Sequence, residues 1–388
     1  MHVLKALIVT STLTFPALGQ LDKWAKAAGL KYFGTAVDNP SLNNQAYMKI
    51  VRDTDEFGQI TPANGQKWSN TESGQGRFSY GTGDAIANVP KQTGQLLRCH
   101  TLVWYNQLPS WVSSSFGRDQ MQRIITSHIQ NVAGHYKGQC YAWDVVNEAM
   151  EDDGKFRQSP MYKAMGVDYI THSFKTAAQT DPGAKLYYND FNIERCCNAK
   201  INATLAMLKT VIAAGARVDG VGMQGHSRVG KSPSKRELKD TMAAFSQLVD
   251  ELAYTEIDIR HTKLPTTAAD REQQAKDYLE VVGACLETPK CVGITVWDFT
   301  DQYSWIPGQY SGEGEACLWD KSLNKKPAYT SVISLLQSAA SAGLRKTPAP
   351  TAPASIVMTA TTATAGRGLF ATAEGPTITT LSTSSQNS

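Results

Sequence analysis

Trp143-Asp144-Val145-Val146-Asn147-Glu148 is an apolar run that ends in an amide and then a carboxyl group. The two valines are typical of a strand that is buried on both faces, as the strands of parallel sheets are. Glu148 then lies at the carboxyl end of that strand, where the loops of an α/β protein form the ligand site. Taken alone, the Asn-Glu pair favours a helix N-terminus instead, with Asn147 as the cap. Evidence from the rest of the chain is needed to favour the strand end over the helix N-terminus.

The same pattern recurs along the chain, because short apolar runs alternate with longer amphipathic segments through eight rounds. The predicted strands are 32–37, 60–65, 96–104, 142–148, 185–190, 220–226, 253–259 and 292–299. The predicted helices between them include 119–136, 161–180, 203–214, 234–252 and 271–286. Strands separated by helices form parallel βαβ units, and eight of them predict a closed (β/α)8 TIM barrel of the α/β class. A doubly wound open sheet competes, but the sequence lacks the Gly-rich turn that would mark its ligand site.

The two ends of the chain differ from the middle. Lys5, an apolar run over residues 6–15 and the small residues Ala17-Leu18-Gly19 predict an export signal over residues 1–19. That run is too short to span a bilayer and no other span is visible, so we expect a soluble, secreted protein without a membrane partner. Residues 345–388 are rich in Thr, Ser, Pro and Ala, which predicts a disordered tail. A single folded domain is therefore expected over residues 20–344.

The net charge and the cysteines indicate which partners and which covalent links to expect. The formal net charge of +3 is too small to predict nucleic acid binding, and nothing in the sequence indicates more than a monomer. Export allows disulfides, and we expect Cys285 to pair with Cys291 across the loop between a helix and the next strand. Adjacent Cys196 and Cys197 are not expected to pair with each other, and the odd count of seven leaves one thiol over. Asn202 begins an N-glycosylation sequon.

Two predicted strands carry carboxyl groups at their ends. The fourth ends at Glu148, and the seventh contains Glu256 and Asp258, which strand alternation puts on one face. Because barrel strands surround a narrow mouth, we expect Glu148 and Glu256 to face each other across it. Facing carboxyls are what glycoside hydrolysis requires, since one protonates the leaving oxygen while the other attacks, or activates water at, the sugar carbon. This chemistry needs no cofactor, and without Cys-x-x-Cys or His-x-His spacing no metal site is predicted.

The neighbouring strand ends supply residues that can hydrogen-bond to a sugar or stack on it. They are His100, Trp104 and Gln107 at the third strand, Gln224 and His226 at the sixth, and Trp297 and Trp305 at and after the eighth. Each one alone is more often a structural residue. Together at one rim, they predict a saccharide-binding cleft.

These motifs resemble the family 10 glycoside hydrolases, which are endo-β-1,4-xylanases, and in particular the fungal members. The matching stretches are Thr61-Pro62-Ala63-Asn64-Gly65-Gln66-Lys67-Trp68, His100-Thr101-Leu102-Val103-Trp104, Trp143 to Glu148, Asn189-Asp190, Gln224-Gly225-His226, Thr255-Glu256-Ile257-Asp258 and Val296-Trp297. The similarity runs from about residue 21 to 344, and WDVVNE followed by TEID is highly specific. It implies a retaining double displacement on xylan and xylo-oligosaccharides.

The resemblance also implies individual roles. Glu148 would be the acid/base and Glu256 the nucleophile, which His226 and Asp258 would keep ionised, since donors to a carboxylate lower its pKa. Asn147 would bind the 2-hydroxyl of the sugar before the scissile bond. Binding on the non-reducing side would come from Asn64, Lys67, His100, Trp104 and Gln107, with Trp297 and Trp305 as walls.

Three positions depart from the commonest pattern of the family. Ala63 stands where many members have Glu, Tyr105 where His is frequent, and Phe191 where Tyr is frequent. Phe191 keeps a ring face for an aglycone sugar but lacks the hydroxyl. Because none of the three is a predicted catalytic carboxyl, we expect altered subsite affinity rather than lost activity. The alternatives are a retaining cellulase or mannanase on a similar barrel, or a secreted carbohydrate-binding protein without catalysis.

Overall fold

The structure, a computed structural model, describes residues 20–344. Its strands are β1 (Tyr32–Val37), β2 (Gln59–Pro62), β3 (Glu72–Gly74), β4 (Arg77–Phe78), β5 (Leu96–Trp104), β6 (Cys140–Asn147), β7 (Lys185–Asp190), β8 (Gly220–Met223), β9 (His226–Arg228), β10 (Glu251–Arg260) and β11 (Cys291–Val296). Strands β1, β2, β5, β6, β7, β8, β10 and β11 pair in parallel in that order, and β11 pairs with β1 to close a barrel. The predicted (β/α)8 barrel is therefore confirmed. Strand β9 pairs with the end of β10, and β3 forms a hairpin with β4.

Helices connect the strands and cover the outside of the barrel. They are α1 (Leu21–Ala27), α2 (Gln45–Val51), α3 (Trp68–Thr71), α4 (Gly81–Thr93), α5 (Arg118–His135), α6 (Pro160–Met165), α7 (Asp168–Thr180), α8 (Ala199–Ala213), α9 (Lys235–Phe245), α10 (Ala268–Leu286), α11 (Ile306–Gln309) and α12 (Pro327–Ala342), with a 3-10 helix at Asn39–Asn43. Ser234 and Thr267 form capping boxes with Glu237 and Asp270. These caps fix the starts of α9 and α10 on the side of the barrel where β9 and β10 end.

The strands are buried on both faces, as their apolar runs predict. Every residue of β1 and β2 is buried, and in β6 only Tyr141 is partly exposed. The main apolar core joins strand residues to the inner faces of the helices, and Ala142, Tyr187 and Ala253 form a separate small cluster. Since the barrel strands run the same way, their carboxyl ends all reach one rim, and the loops there form the site.

Several predicted strand ends are wrong by a few residues. Strands β2 and β11 end three residues before the predicted positions, at Pro62 and Val296. The predicted strand 220–226 is divided between β8 and β9, because Gly225 with φ 80° turns the chain ahead of His226. The apolar pattern continues past each barrel strand into buried loop residues, so it does not mark where strand pairing stops.

Two predicted helices are also divided differently. The helix predicted over 234–252 ends at Phe245, and the segment that follows enters β10 at Glu251. The helix predicted over 161–180 is two helices, α6 and α7, because Gly166 adopts φ 59° between them. A buried helix and a buried strand have similar apolar content, which hides the boundary between them.

The described residues contain three disulfides: Cys99–Cys140, Cys196–Cys197 and Cys285–Cys291. The last is the pair expected from the sequence. The expectation that Cys196 and Cys197 would not pair is wrong, because Cys197 has φ 71° and this turn of the backbone brings the two sulfurs together. Cys317 is the buried thiol left over.

The predicted export signal and the predicted tail lie outside the described residues. Within residues 20–344, no helix has both the length and the apolar composition to cross a bilayer. Asn202 is exposed near the start of α8, whereas Thr204 of the same sequon is buried. Glycosylation of Asn202 stays a prediction.

Candidate active site

The carboxyl ends of the barrel strands surround a cleft of about 460 Å³. The residues predicted for catalysis or sugar binding all line it, namely Asn64, Lys67, His100, Trp104, Gln107, Asn147, Glu148, Gln224, His226, Glu256, Trp297 and Trp305. Asp258, predicted to support the nucleophile, lies against His226. The barrel thus brings together residues from six strand ends and their loops.

Glu256 reaches the cleft from β10 and is 5 % exposed. Asn189 donates a hydrogen bond to its Oε1 at 2.8 Å, and His226 Nε2 lies 3.2 Å from its Oε2. Burial pushes the pKa of Glu256 up, but the hydrogen bond from His226 and the positive field of His100 and His226 outweigh it and hold the pKa below its ordinary value. Glu256 is therefore a carboxylate at neutral pH, which is the state that a nucleophile needs.

His226 lies between two carboxylates. Its Nδ1 is 3.0 Å from Asp258 Oδ2, and its Nε2 faces Glu256. Burial alone lowers the pKa of His226, but the charges and hydrogen bonds of Asp258 and Glu256 raise it well above its ordinary value, so the ring is an imidazolium at neutral pH. Trp305 Nε1 donates to Asp258 Oδ2 at 2.7 Å, which fixes the indole at the wall of the cleft.

Glu148 directly follows β6 and is 7 % exposed. Its φ of 56° lies in the left-handed region that few residues other than glycine adopt, and such outliers cluster at active sites. Asn147 Nδ2 donates to its Oε1 at 3.1 Å, and Gln224 Nε2 donates to the same oxygen at 2.9 Å. Both donors to Glu148 are neutral amides. Glu256 differs, because its Oε2 faces the imidazolium of His226.

Amide side chains connect the two carboxyl groups. Asn189 donates to Glu256 and to Asn147 Oδ1, each at 2.8 Å, and Asn147 donates in turn to Glu148. Gly222 makes room for this bridge, because a Cβ there would lie 2.2 Å from Asn189 Oδ1. Asn189 belongs to one of the motifs that resemble the family, but no role was predicted for it from the sequence. Its position at the carboxyl end of β7, equivalent to that of Asn147 in β6, was the signal that could have found it.

Lys67 enters the cleft from the loop after β2. Its Nζ donates to Asn64 Oδ1 at 2.8 Å and lies 4.8 Å from the centroid of the Trp104 ring. Burial lowers the pKa of Lys67 to about 8, against the opposing pull of Glu256 and Glu148. Because an ammonium has three N–H donors, Lys67 can donate to sugar hydroxyls as well as to Asn64.

His100 is held from inside the barrel by Asp144, which belongs to a buried ion pair with Arg98. Its Nδ1 lies 2.9 Å from Asp144 Oδ2, and Asp144 also binds the Arg98 guanidinium. Burial raises the pKa of Asp144, but Arg98 and His100 outweigh that effect and lower it. Asp144 thus orients His100. This role was not predicted from the sequence, although strand alternation puts Asp144 and Val145 on opposite faces of β6.

Two of the positions that depart from the family pattern form an aromatic wall. The Arg157 guanidinium carbon lies 4.3 Å from the Tyr105 ring centroid and 5.5 Å from that of Phe191. The Lys200 ammonium lies 3.7 Å from the Phe191 centroid. These cations hold both rings in place through cation–π contacts. The third departure, Ala63, also lines the cleft.

The cleft has three further lining residues that the sequence did not predict: Asn106, Gln309 and Tyr310. The Arg260 guanidinium carbon lies 4.1 Å from the Tyr310 ring centroid, and Arg260 Nε pairs with Glu313 at 2.6 Å. Gln309 and Tyr310 lie at the end of the short helix α11. No apolar periodicity marks so short an element, so the sequence contained no signal for them.

The arrangement supplies one ionised carboxylate and a second carboxyl group at a single cleft. That combination fits double displacement at a glycosidic carbon. The tryptophans provide flat apolar faces for sugar rings. Among residues 20–344, no three His, Cys, Asp or Glu side chains are grouped so as to hold a metal ion.

Comparison with known proteins places this geometry in a family. The model of glycosyl hydrolase family 10 matches residues 20–335. Endo-1,4-beta-xylanase 1 of Humicola insolens is 50 % identical over 323 residues, which cover 83 % of this chain and 75 % of that protein. The solved structure of Penicillium canescens endo-1,4-beta-xylanase XylE is similar with a TM-score of 0.79 at 37 % identity, covering 82 % of this chain and 98 % of that one.

A second solved structure, the GH10 xylanase from Bispora sp. MEY-1 with xylobiose, gives a TM-score of 0.78 at 35 % identity, covering 81 % of this chain and 99 % of that one. The family match spans most of the 388 residues. Six of the seven stretches that resembled the family in the sequence contribute residues to the lining of one cleft. The chain belongs to glycosyl hydrolase family 10.

Proposed function

We propose that this protein is an endo-1,4-β-xylanase that hydrolyses internal β-1,4-xylosidic bonds of xylan and xylo-oligosaccharides with retention of configuration. The main support is that Glu148 and Glu256 line one cleft and are joined through the side chains of Asn147 and Asn189. The relatives compared above are named endo-1,4-beta-xylanases, and one was solved with xylobiose.

The first chemical step forms a covalent intermediate. The Glu256 carboxylate attacks the anomeric carbon while Glu148 donates its proton to the glycosidic oxygen, so the bond between that carbon and that oxygen breaks. The aglycone leaves as an alcohol, and the glycone remains as an ester of Glu256. His226 and Asp258 keep Glu256 ionised before the attack, since the imidazolium lowers its pKa.

The second step releases the sugar. Glu148, now a carboxylate, takes a proton from water, and the water oxygen attacks the same anomeric carbon. The ester bond breaks, Glu256 leaves as a carboxylate and Glu148 is again protonated. Two successive displacements at one carbon restore the original configuration.

The other cleft residues bind the chain of sugars. Asn147, fixed by Asn189 at 2.8 Å, is placed to bind the 2-hydroxyl of the sugar before the scissile bond. On the non-reducing side the binding residues are Asn64, Lys67, His100, Trp104 and Gln107, with Trp297 and Trp305 as walls. Gln224 is a further substrate-binding residue of the cleft. Phe191 offers its ring face to an aglycone sugar.

The substrate class is tested by comparing rates on xylan, carboxymethyl cellulose and mannan. We expect xylan to be hydrolysed at least tenfold faster, in kcat/KM, than either hexose polymer. A preference for carboxymethyl cellulose or mannan would make the protein a cellulase or a mannanase on the same barrel. Binding to xylan without hydrolysis would make it a carbohydrate-binding protein.

Retention is tested on the same enzyme by proton NMR of fresh products from xylohexaose. The β-anomer should appear first, with the α-anomer following only through mutarotation. Initial release of the α-anomer would contradict the covalent role of Glu256, because inversion requires a water molecule between the two carboxyl groups.

We also propose that the protein is exported and acts as a monomer. The support for export is the apolar run at residues 6–15 with small residues at 17–19. N-terminal sequencing of protein from the culture medium should begin at Gln20. Gel filtration with light scattering should give the mass of one chain.

A further inference from the structure

A second cavity lies beside the cleft, and we call it the side cavity. It also measures about 460 Å³, and His226 is the one residue that lines both it and the cleft. Its walls come from the loop after β7, from β9 and the loop that follows it, and from single residues of α8, α9, β10 and α10. Lys200 belongs to its lining and also contacts the Phe191 ring, so the side cavity adjoins the aromatic wall of the cleft.

The rim of the side cavity is positively charged. Arg195, Arg228 and Lys231 are exposed there, and in the described part of the chain none of them makes an ion pair with a carboxylate. Arg195 Nη2 donates to the backbone carbonyl of Lys231 at 3.2 Å, which holds the Arg195 side chain against the loop that carries Lys231. Asp152, the exposed acid of the lining, is already engaged by Lys200 and Asn192. The rim therefore presents cations with free donors to an anion.

The floor of the side cavity is polar and incompletely satisfied. Tyr254 is fully buried, and its hydroxyl has no hydrogen-bond partner among the described residues. Glu194, 8 % exposed, accepts from the Gly225 N–H at 2.8 Å through one oxygen. A buried hydroxyl without a partner is rare in folded proteins, because desolvating it costs free energy. A ligand that offers Tyr254 an acceptor would satisfy it.

We propose that the side cavity binds a sugar that carries a carboxylate, such as the glucuronic acid substituent of xylan. A volume of about 460 Å³ lies within the range of small-molecule sites and leaves room for one pyranose ring. The carboxylate would meet Arg228 and Lys231 at the rim, and a ring hydroxyl would accept from Tyr254 at the floor. The inference rests on the proposed xylanase function. The side cavity lies beside Phe191, where it could take a branch of a xylan chain that is bound in the cleft.

The first test compares a branched and an unbranched substrate. In the double variant Arg228→Gln/Lys231→Gln, kcat/KM on glucuronoxylan should fall about three- to tenfold, because two exposed charge contacts are lost, while kcat/KM on linear xylohexaose stays the same. Tyr254→Phe should lower the glucuronoxylan value about fivefold by removing one buried donor. Arg236→Gln on α9 is the matched control, since Arg236 is exposed but does not line the side cavity, and it should change neither substrate.

The outcomes separate this inference from the proposed function. Wild-type protein that fails to hydrolyse xylohexaose would contradict the xylanase assignment. Hydrolysis of both substrates with an unchanged ratio in all variants, or with an equal fall on both, would overturn the side cavity as a carboxylate site and leave the xylanase assignment intact.

A binding measurement distinguishes a free acidic sugar from an acidic branch on the xylan chain. Calorimetric titration with sodium glucuronate should show binding to wild-type protein, lost in Arg228→Gln/Lys231→Gln, if the cavity takes a free acidic sugar. A selective kinetic loss without binding of free glucuronate identifies a branch held on the xylan chain. Binding of glucuronate that the double variant retains in full would contradict the site.

Discussion

Strand β10 carries two buried glutamates with different surroundings, Glu251 at its start and Glu256 near its middle. Glu251, at the start of the strand, accepts hydrogen bonds from Tyr141 and Tyr187, both at 2.7 Å, and pairs with Lys31 at 2.6 Å. Glu256 lies five residues later at the other end of the barrel. Both are 5 % exposed, and in both the effect of burial on the pKa is outweighed by their partners, so each pKa lies below its ordinary value.

Burial and a lowered pKa therefore do not distinguish a structural carboxylate from a reactive one. Glu251 has donors on both oxygens and lines neither the cleft nor the side cavity, so its charge stabilises the end of the barrel opposite the cleft. Glu256 lines a cleft of about 460 Å³ and faces a second carboxyl group through a bridge of amides. Access and the second carboxyl group, not the electrostatics of one residue, indicate the reactive site.

The largest expected difference comes from removing each glutamate in turn. Glu256→Ala should lower kcat on xylan by more than about 10⁴-fold, because no covalent intermediate can form. Glu251→Gln should keep kcat per folded molecule and lower the free energy of unfolding by about 1–3 kcal/mol, since hydrogen bonds to a charged group are weakened. Xylan turnover and urea unfolding of both variants measure this. Near-wild-type turnover of Glu256→Ala would remove it as the nucleophile.

The pH dependence of the free energy of unfolding tests whether the Glu251 carboxylate is structural. Because the folded-state pKa of Glu251 is lowered from 4.5, its contribution to stability is complete above that value and is lost as the pH falls through the folded-state pKa. The difference in free energy of unfolding between wild type and Glu251→Gln should therefore shrink on acidification. A difference that grows toward low pH would show that the carboxylate is not what stabilises this end.

The next largest effect is expected at the partner of Glu256. Glu148→Gln should lower kcat on xylan about 10²- to 10⁴-fold, because the glycosidic oxygen then leaves without a proton. The burst of phenolate from 2,4-dinitrophenyl xylobioside should fall far less, since that leaving group needs no proton. An equal loss on both substrates would contradict Glu148 as the general acid.

His226 should affect the pH profile more than the maximum rate. In wild type the lowered pKa of Glu256 places the acid limb of kcat/KM below the ordinary range of a carboxyl group. In His226→Gln a hydrogen-bond donor remains but the positive charge is gone, so the acid limb should move to higher pH. A pH profile of kcat/KM on xylohexaose measures the shift. An unchanged acid limb would mean that the imidazolium does not hold Glu256 ionised.

The smallest effect is expected at the aromatic wall, which we propose to bind a sugar away from the reacting atoms. Phe191→Ala should raise KM for xylan about two- to tenfold through lost stacking and leave kcat within about twofold. Phe191→Tyr keeps the ring and serves as the control, with KM close to wild type. A large fall in kcat for Phe191→Ala, with KM unchanged, would contradict a role in binding alone.

Much of the site could be predicted from the sequence because strand ends can be located without coordinates. Asn147, Glu148 and Gln224 each follow or end a buried apolar run, and the fold confirms that such runs are parallel barrel strands. Tyr310 could not be predicted, since a loop held by Arg260 has no periodic pattern. The Cys196–Cys197 pair was missed because it depends on one backbone dihedral angle.

Apolar periodicity along the chain was sufficient for the barrel and for the strand ends that carry Glu148 and Glu256, because secondary structure of this kind depends on neighbours close in sequence. The interpretation of Glu251 as structural and the proposal of Glu256 as the nucleophile depend on partners far away in the chain. Lys31 is 220 residues from Glu251, and Asn189 is 67 residues from Glu256. Contacts at such separations exist only once the chain has folded, so only the tertiary structure could assign them.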